Sequence, residues 1–388
     1  MRIFVLGAGA TGSLIAKQLE RQGHAVWCGD RDPDRARRFL GKKSAIPIRE
    51  VNARNLWGIV RAGRGCHMLV NASPAVFNEI ILRAALRLRA HYLDMAAHFG
   101  RNPFKPEQLR FQKKFFTKNR AAVITAGAAP GLTNLLARRG AEMLDTVESV
   151  HIRLFEETES DDPVSQWSPE VSFDEAVSPP ILVHGGRFRL GKRFGDREKF
   201  RFPPPVGEVP VYLAAQDEVG TFPNVVRVTE MDAKIGGNEI ERLRRWYRQG
   251  KLSRSRGMAA KRFPVTPTPR QVARLIRRGI LHNARFVAAV TVRGTRKEHP
   301  LLVRLDAAFP TLYQIRLRGM AASPIAYGTA QVAALFVKHF PRDSAGVFPP
   351  EALDSETRAA ILADMKARGI RITTRVKRLK KIEDDEEW

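Results

Sequence analysis

Apolar residues run from Ile3 to Leu6, then give way to Gly7-Ala8-Gly9-Ala10-Thr11-Gly12. A segment with Leu14, Ile15 and Leu19 at helical spacing follows, and then a second apolar run that ends at Asp30. The periods predict strand, turn, helix and strand. The same alternation continues. Asp34 to Leu40 reads as helix, Ile46 to Val51 as strand, Leu56 to Ala62 as a short helix and His67 to Asn71 as an apolar strand. Ala75 to Ala90 sets Val76, Ile80, Ile81, Ala84 and Leu88 on one helical face; His91 to Met95 is a strand, Pro106 to Lys118 a basic helix and Ala121 to Thr125 another strand. Strands alternating with helices predict an α/β domain over residues 1–126, a Rossmann-type doubly wound parallel sheet.

At Gly127-Ala128-Ala129-Pro130-Gly131 the pattern changes. Leu132 to Met143 is helical, and Val147 to Phe155 alternates like a half-buried strand. Residues 183–228 hold short β-like runs between glycines and prolines, including NVVRVTEM at 224–231. Phe286 to Arg293 and Leu301 to Leu305 read as two antiparallel strands, with helices over Asn238 to Arg248 and Pro269 to Arg278. Residues 127–318 are therefore expected to form a second α+β domain, supplying substrate contacts and a homodimer face. Residues 319–376 hold a long helix (Ser323 to Phe340), a further helix and a strand over Gly369 to Val376. Residues 377–388 are a charged tail expected to be disordered.

The glycine turn has a chemical reading. Gly7 turns the chain, Gly9 lets backbone approach a pyrophosphate, and Gly12 lets helix pack on strand. Ala10 and Thr11 open the helix, whose free N–H groups and dipole favour an anion. Asp30 ends the next strand where a carboxylate can accept from a ribose diol. It favours NAD, whereas Arg31 beside it offers a clamp for the 2′-phosphate of NADP. NADP is slightly favoured and NAD admitted. Asn71, Ala72 and Ser73 end a parallel strand at the sheet's carboxyl edge, where they would flank the nicotinamide ribose; Ser73 and Pro74 also read as a helix cap.

The net charge is +26, from 66 basic and 40 acidic residues. A solvated face is the default reading of scattered arginines, ahead of a nucleic-acid groove, and the field favours an anionic small-molecule substrate. With only Cys28 and Cys66, no disulfide framework is expected; with no signal peptide or membrane-spanning run either, the expected setting is cytoplasmic, with no membrane partner.

Several stretches together resemble the saccharopine dehydrogenase family, in its saccharopine reductase-like and carboxynorspermidine dehydrogenase-like branch. They are the GAGATG turn, Asn71 to Pro74, HYLDMA (91–96), AGAAPGLTNLLA (126–137), WSPE (167–170), QDEVGTFP (216–223) and GVFPPEALD (346–354). The resemblance implies C-terminal helices that return to the Rossmann domain. It also implies NAD(P)-dependent oxidoreduction at the C–N bond of an amino-acid- or polyamine-derived secondary amine or imine. By analogy it brings Trp167 and Glu170 into the cleft. The chain departs from the family pattern at Thr133-Asn134 and at Gln216, which motivates an alternative: a non-catalytic NAD(P)-binding scaffold or redox sensor with an anionic partner.

Asp94 closes a strand at the sheet edge and is a candidate for acid–base work or for binding a substrate amine; a structural aspartate at the same place fits equally. His98 is a candidate proton donor or a bystander in a loop. Thr133 and Asn134 open a helix where they can bind a substrate carboxylate or cap the helix. No metal-ligand spacing is seen.

Overall fold

The computed structural model describes residues 1–165, 168–252 and 266–379. The first part alternates as the periods predict: β1 (Arg2–Leu6), α1 (Ala10–Arg21), β2 (Ala25–Asp30), α2 (Pro33–Leu40), β3 (Ile48–Glu50), α3 (Leu56–Ala62), β4 (Met68–Asn71), α4 (Asn78–Leu88), β5 (His91–Asp94), α5 (Gln112–Thr117) and β6 (Ala121–Val123). Ile3, Phe4, Val5 and Leu6 are all buried, as a continuous apolar run must be when helices cover both faces of a parallel sheet. The predicted helix from Pro106 starts instead as a 3₁₀ turn, Glu107–Phe111. Gln108 in that turn is fully buried, donating to the Asp94 carboxylate (3.2 Å) and to the Ala96 carbonyl (3.0 Å), so polar contacts set the local winding.

The second part comprises α6 (Leu132–Ala141), β7 (Thr146–Ser160), α7 (Pro169–Val177), β8 (Ile181–His184), β9 (Arg187–Leu190), β10 (Glu198–Phe202), β11 (Gly207–Leu213), α8 (Glu218–Thr221), β12 (Glu230–Gly236), α9 (Asn238–Arg248), α10 (Pro269–Arg277), β13 (Leu281–Arg296) and β14 (His299–Ala308). It continues with α11 (Leu312–Leu317), α12 (Pro324–Lys338), β15 (Gly346–Phe348), α13 (Ser355–Asp364) and β16 (Arg371–Arg378).

Two sheets result. One is parallel, in the order β15-β6-β5-β4-β1-β2-β3, and the other runs β10-β11-β12-β7-β13-β14-β16 with the β8–β9 hairpin beside β12. In the second, β7 pairs with β12 in parallel and β13 with β7 and β14 antiparallel. The C-terminal stretch divides. α12 packs on α1 and β15 extends the parallel sheet beside β6, whereas β16 adds to the second sheet beside β14. The strand expected at 224–231 begins only at Glu230, because Phe222–Asn224 closes a 3₁₀ turn. The strand itself carries Asp232 and Lys234, whose charges hide its period. The start of the expected charged tail, Lys377 and Arg378, lies in β16, and residues 380–388 lie outside the described residues.

Those charges belong to a network on one face of the second sheet. Arg153, 4% exposed, pairs with Asp232 (2.6 Å) and with Glu198, which also accepts from Lys234 at 2.5 Å. Nearby, Arg304 and Asp306 pair at 3.0 Å, and Arg375 reaches the same Asp306 at 2.8 Å. Removing one member strands a buried charge. Asp306→Ala is expected to cost about 3–5 kcal/mol in chemical denaturation, against less than about 1 kcal/mol for truncating the exposed pair Arg293–Glu148.

Candidate active site

The glycine turn and the end of β4 are built as one unit. A Cβ on Gly7 would lie 2.6 Å from the Ala72 carbonyl oxygen, and one on Gly12 would lie 1.8 Å from the Gly7 carbonyl oxygen. Both positions require glycine for close approach. Gly9, in contrast, faces open space and is the N-cap of α1 with no capping side chain; the first turn, beginning with Ala10 and Thr11, holds no acid. That leaves a bare helix N-terminus with room for an anion, the feature a pyrophosphate needs. Asp30 lies across the turn, its carboxylate accepting from the Ala8 N–H (2.8 Å) and the Asp32 N–H (3.1 Å). Arg31 is exposed beside it. Asn71 is buried and organises its own loop: its oxygen accepts from the Ser73 N–H (3.0 Å) and hydroxyl (2.6 Å), while its amide donates to Asn78 (2.8 Å) and Tyr92 (3.1 Å). Ser73 therefore caps no helix; Pro74 precedes a 3₁₀ turn with no capping side chain.

Asp94 ends β5 at the same edge and is 1% exposed. One carboxylate oxygen accepts from the Thr125 N–H at 2.7 Å and the other from Gln108. Thr125 has φ of 55°, a left-handed conformation costly for a β-branched residue. Desolvation by burial pushes the Asp94 carboxyl up to about 7, against the pull of those donors. His98 donates from Nδ1 to the Glu107 carboxylate (2.7 Å) and is part-exposed in the loop after β5.

Thr133 and Asn134, at the start of α6, are fully buried. Thr133 donates to Glu218 at 2.7 Å; Asn134 accepts from the Gly131 N–H (3.0 Å) and donates to Thr221 (3.2 Å). Both therefore tie α6 to α8. Trp167 lies outside the described residues, and Glu170 falls within α7, in the segment over Pro169–Val177.

The arrangement also brings in carboxyl groups that sequence reasoning left aside. Asp217, just before α8, accepts from the Ala97 N–H at 2.7 Å, so it spans from the second domain to the loop after β5. Burial, with repulsion from Glu218 and Asp94, pushes it up to about 7. Glu218 and Glu351 are raised by burial as well, Glu351 to about 7. Glu175 in α7 is raised well above its ordinary range by burial and by repulsion from Glu156, Asp217 and Glu218. Repulsion thus couples carboxyl groups of the second domain, Glu175, Glu218 and Asp217, and reaches Asp94 at the edge of the parallel sheet. The available signal was the alternation in β7, which puts Glu156 on the inward face with Val150, Ile152 and Leu154. Among the described residues no His, Cys, Asp and Glu group is arranged to hold a metal ion, and no helix is long and apolar enough to cross a membrane.

Residues 3–126 match the family described as saccharopine dehydrogenase NADP binding domain. The whole structure is similar to the L-Glu-forming saccharopine dehydrogenase of Saccharomyces cerevisiae, with a TM-score of 0.70 and 11% identity over 97% of this chain and 99% of that one. It is also similar to homospermidine synthase from Legionella pneumophila, solved in complex with NAD, with a TM-score of 0.73 and 11% identity over 100% of this chain and 93% of that one. The family match thus covers the part of the chain that forms most of the parallel sheet, and the two-sheet fold is shared with both proteins.

Gly12→Val is expected to push α1 off the turn. Loss of the pyrophosphate seat should weaken NADPH and NADH binding on the order of 100-fold or more, measured by cofactor fluorescence.

Proposed function

We propose that this chain is an NAD(P)-dependent oxidoreductase that reduces an imine, or oxidises a secondary amine, at the C–N bond of an amino-acid- or polyamine-derived compound. The family of the N-terminal domain supports the cofactor. The observation that carries the chemistry is Asp217, a half-buried carboxyl of the second domain, hydrogen bonded to Ala97 and raised to about 7, beside the carboxyl edge of the parallel sheet. In open α/β sheets of this kind, ligands bind along that edge.

The bound nicotinamide would supply the hydride. The chain's own residues do the rest. The start of α1 and Gly9 seat the pyrophosphate, Asp30 and Arg31 meet the adenosine ribose, and the Asn71–Ser73 loop borders the nicotinamide side. Asp217, with one oxygen engaged by Ala97, holds a proton near neutral pH and delivers it to the imine nitrogen as hydride reaches carbon; in the reverse direction it takes that proton back. Asp94 shapes the loop through Thr125 and Gln108.

Reduction should then need Asp217 protonated, so kcat for imine formed from an amine and a keto acid or aldehyde falls as pH rises through about 7. Asp217→Asn should flatten that limb and lower kcat by about 100-fold, in the range of general acid catalysis, with NADPH affinity kept. Absence of NADPH or NADH oxidation across a broad amine and carbonyl screen would overturn the reading.

Cofactor choice rests on the neighbours Asp30 and Arg31. Arg31→Ala should raise KM for NADPH far more than for NADH; equal effects would remove Arg31 from 2′-phosphate recognition.

A further inference from the structure

α3 and α4 pack side by side on the face of the parallel sheet that carries Phe4, Leu69 and Tyr92, in a core separate from the one that joins α1, α12 and the second sheet. Their outer surface is strongly basic. Residues 51–93 contain one acid, Glu79, against Arg54, Arg61, Arg64, Arg83, Arg87 and Arg89, all exposed. Glu79 pairs with Arg83 and with Arg110, so the remaining arginines of the stretch pair with no described acid. Every cation here is an arginine or a histidine, with no lysine between Lys43 and Lys105. Trp57, one turn before Arg61 on α3, is 62% exposed, and the Arg87 guanidinium lies over its ring, 4.4 Å from the centroid. Two similar pairs bracket the helix. Arg54, just before it, lies over Phe77 at 5.7 Å, and Arg49, which donates to the carbonyl of the last helical residue Ala62, lies over Trp27 at 5.4 Å. α3 is seated on the sheet by Ile59 and Ala62, both buried, so packing does not account for the indole outside.

We propose that the α3–α4 surface binds a single-stranded nucleic acid, with a base stacked on the Trp57–Arg87 pair and the surrounding arginines on the phosphates. The inference is independent of the C–N oxidoreductase reading and adds a partner to it. Charge and geometry select this occupant together. A guanidinium laid flat on an aromatic ring is already extended, and its planar fork can stack against a base while a neighbour clamps a phosphate bidentately. Aromatic ledges set within a basic track are the means by which single strands are held without sequence readout. A duplex keeps its bases stacked inside, so it can use the charge of this surface but not the indole. A second copy of this chain would set arginine against arginine, which is repulsive. A bilayer surface calls for a broad apolar face, whereas the aliphatic residues of α3 and α4 are packed on the sheet and leave one indole outside. The surface lies on the opposite face of the parallel sheet from the second domain, so a bound strand and a substrate between the domains need not compete.

The test is fluorescence anisotropy of a labelled oligouridylate of about 12 nucleotides, within the span such surfaces cover, with the full chain and saturating NADPH in the dinucleotide seat. The wild type should bind, and the logarithm of its affinity should fall with the logarithm of salt at a slope of about −3, as for four or five phosphates on a single strand. Arg61→Gln combined with Arg64→Gln should flatten that slope by about 1.4. Trp57→Ala should weaken binding by about 10-fold with little change of slope, and Trp57→Phe should restore most of the loss. All three positions are exposed, so the variants should fold, and NADPH affinity within about twofold of wild type checks that they do. No binding at low salt would overturn the proposal. Affinity indifferent to Trp57 would overturn it too, assigning the binding to the diffuse charge of +26. So would binding seen only without NADPH, which would place the strand in the dinucleotide seat. Trp57-dependent binding to phosphatidylserine–phosphatidylcholine vesicles, with none to the oligonucleotide, would make the surface a membrane contact instead. None of these outcomes bears on the oxidoreductase reading, which turnover decides.

Discussion

The hydrogen bond from the Ala97 N–H to Asp217 closes the seam between the two sheets, and most of the site depends on it. It crosses 120 residues of sequence and fixes the loop after β5 against α8. Two further contacts anchor the second-part side of that seam: Thr133 donates to Glu218, and Asn134 donates to Thr221, so the start of α6 is held to the same short helix. Each bond has a carboxylate or hydroxyl of the second part as acceptor. Buried acceptors of this kind are costly unless paired, which makes the seam specific in register. It also concentrates carboxyl groups where water is scarce, and their raised pKa values follow directly from that placement.

A chain with a charge of +26 nevertheless encloses a group of buried acids. The two features act over different distances. Scattered surface arginines make a field that steers encounter and is attenuated within a Debye length. The carboxyl groups of β7, α7, α8 and α9 act across a few ångströms of protein, where the effective dielectric is far lower than that of water. Composition reports the first effect, and only the fold reveals the second.

The dinucleotide end was legible because each of its constraints is local. Gly7 and Gly12 sit where backbone and helix touch, and Asp30 follows at the end of the next strand, so spacing along the chain is spacing in the turn. The alternation of strands and helices through Val123 was legible for the same reason. The second sheet was harder to read. β12 buries Lys234 and Asp232 within a charge network supplied by β7 and β10, so its polar residues look solvated until their partners are known. β16 carries Arg375 to Asp306 and is likewise recognisable as a strand but not assignable to a sheet. Glu156 falls between these cases. Period-two alternation places it inward, yet an acid at a core position reads as a strand end.

Asp94 and Asp217 both titrate near 7 at the sheet edge, but their surroundings give them different work. Both oxygens of Asp94 are engaged, one holding Thr125 in a left-handed conformation and the other accepting from Gln108, and the group is almost wholly enclosed. Moving its proton would disturb the backbone at the end of β6. Asp217 has one oxygen on the Ala97 N–H and stays half-buried, so its second oxygen can exchange a proton while the first keeps the seam closed. A pair of carboxyl groups raised alike but of unequal freedom therefore divides into one whose oxygens both hold the backbone and side chains around it and one that keeps an oxygen free of that duty.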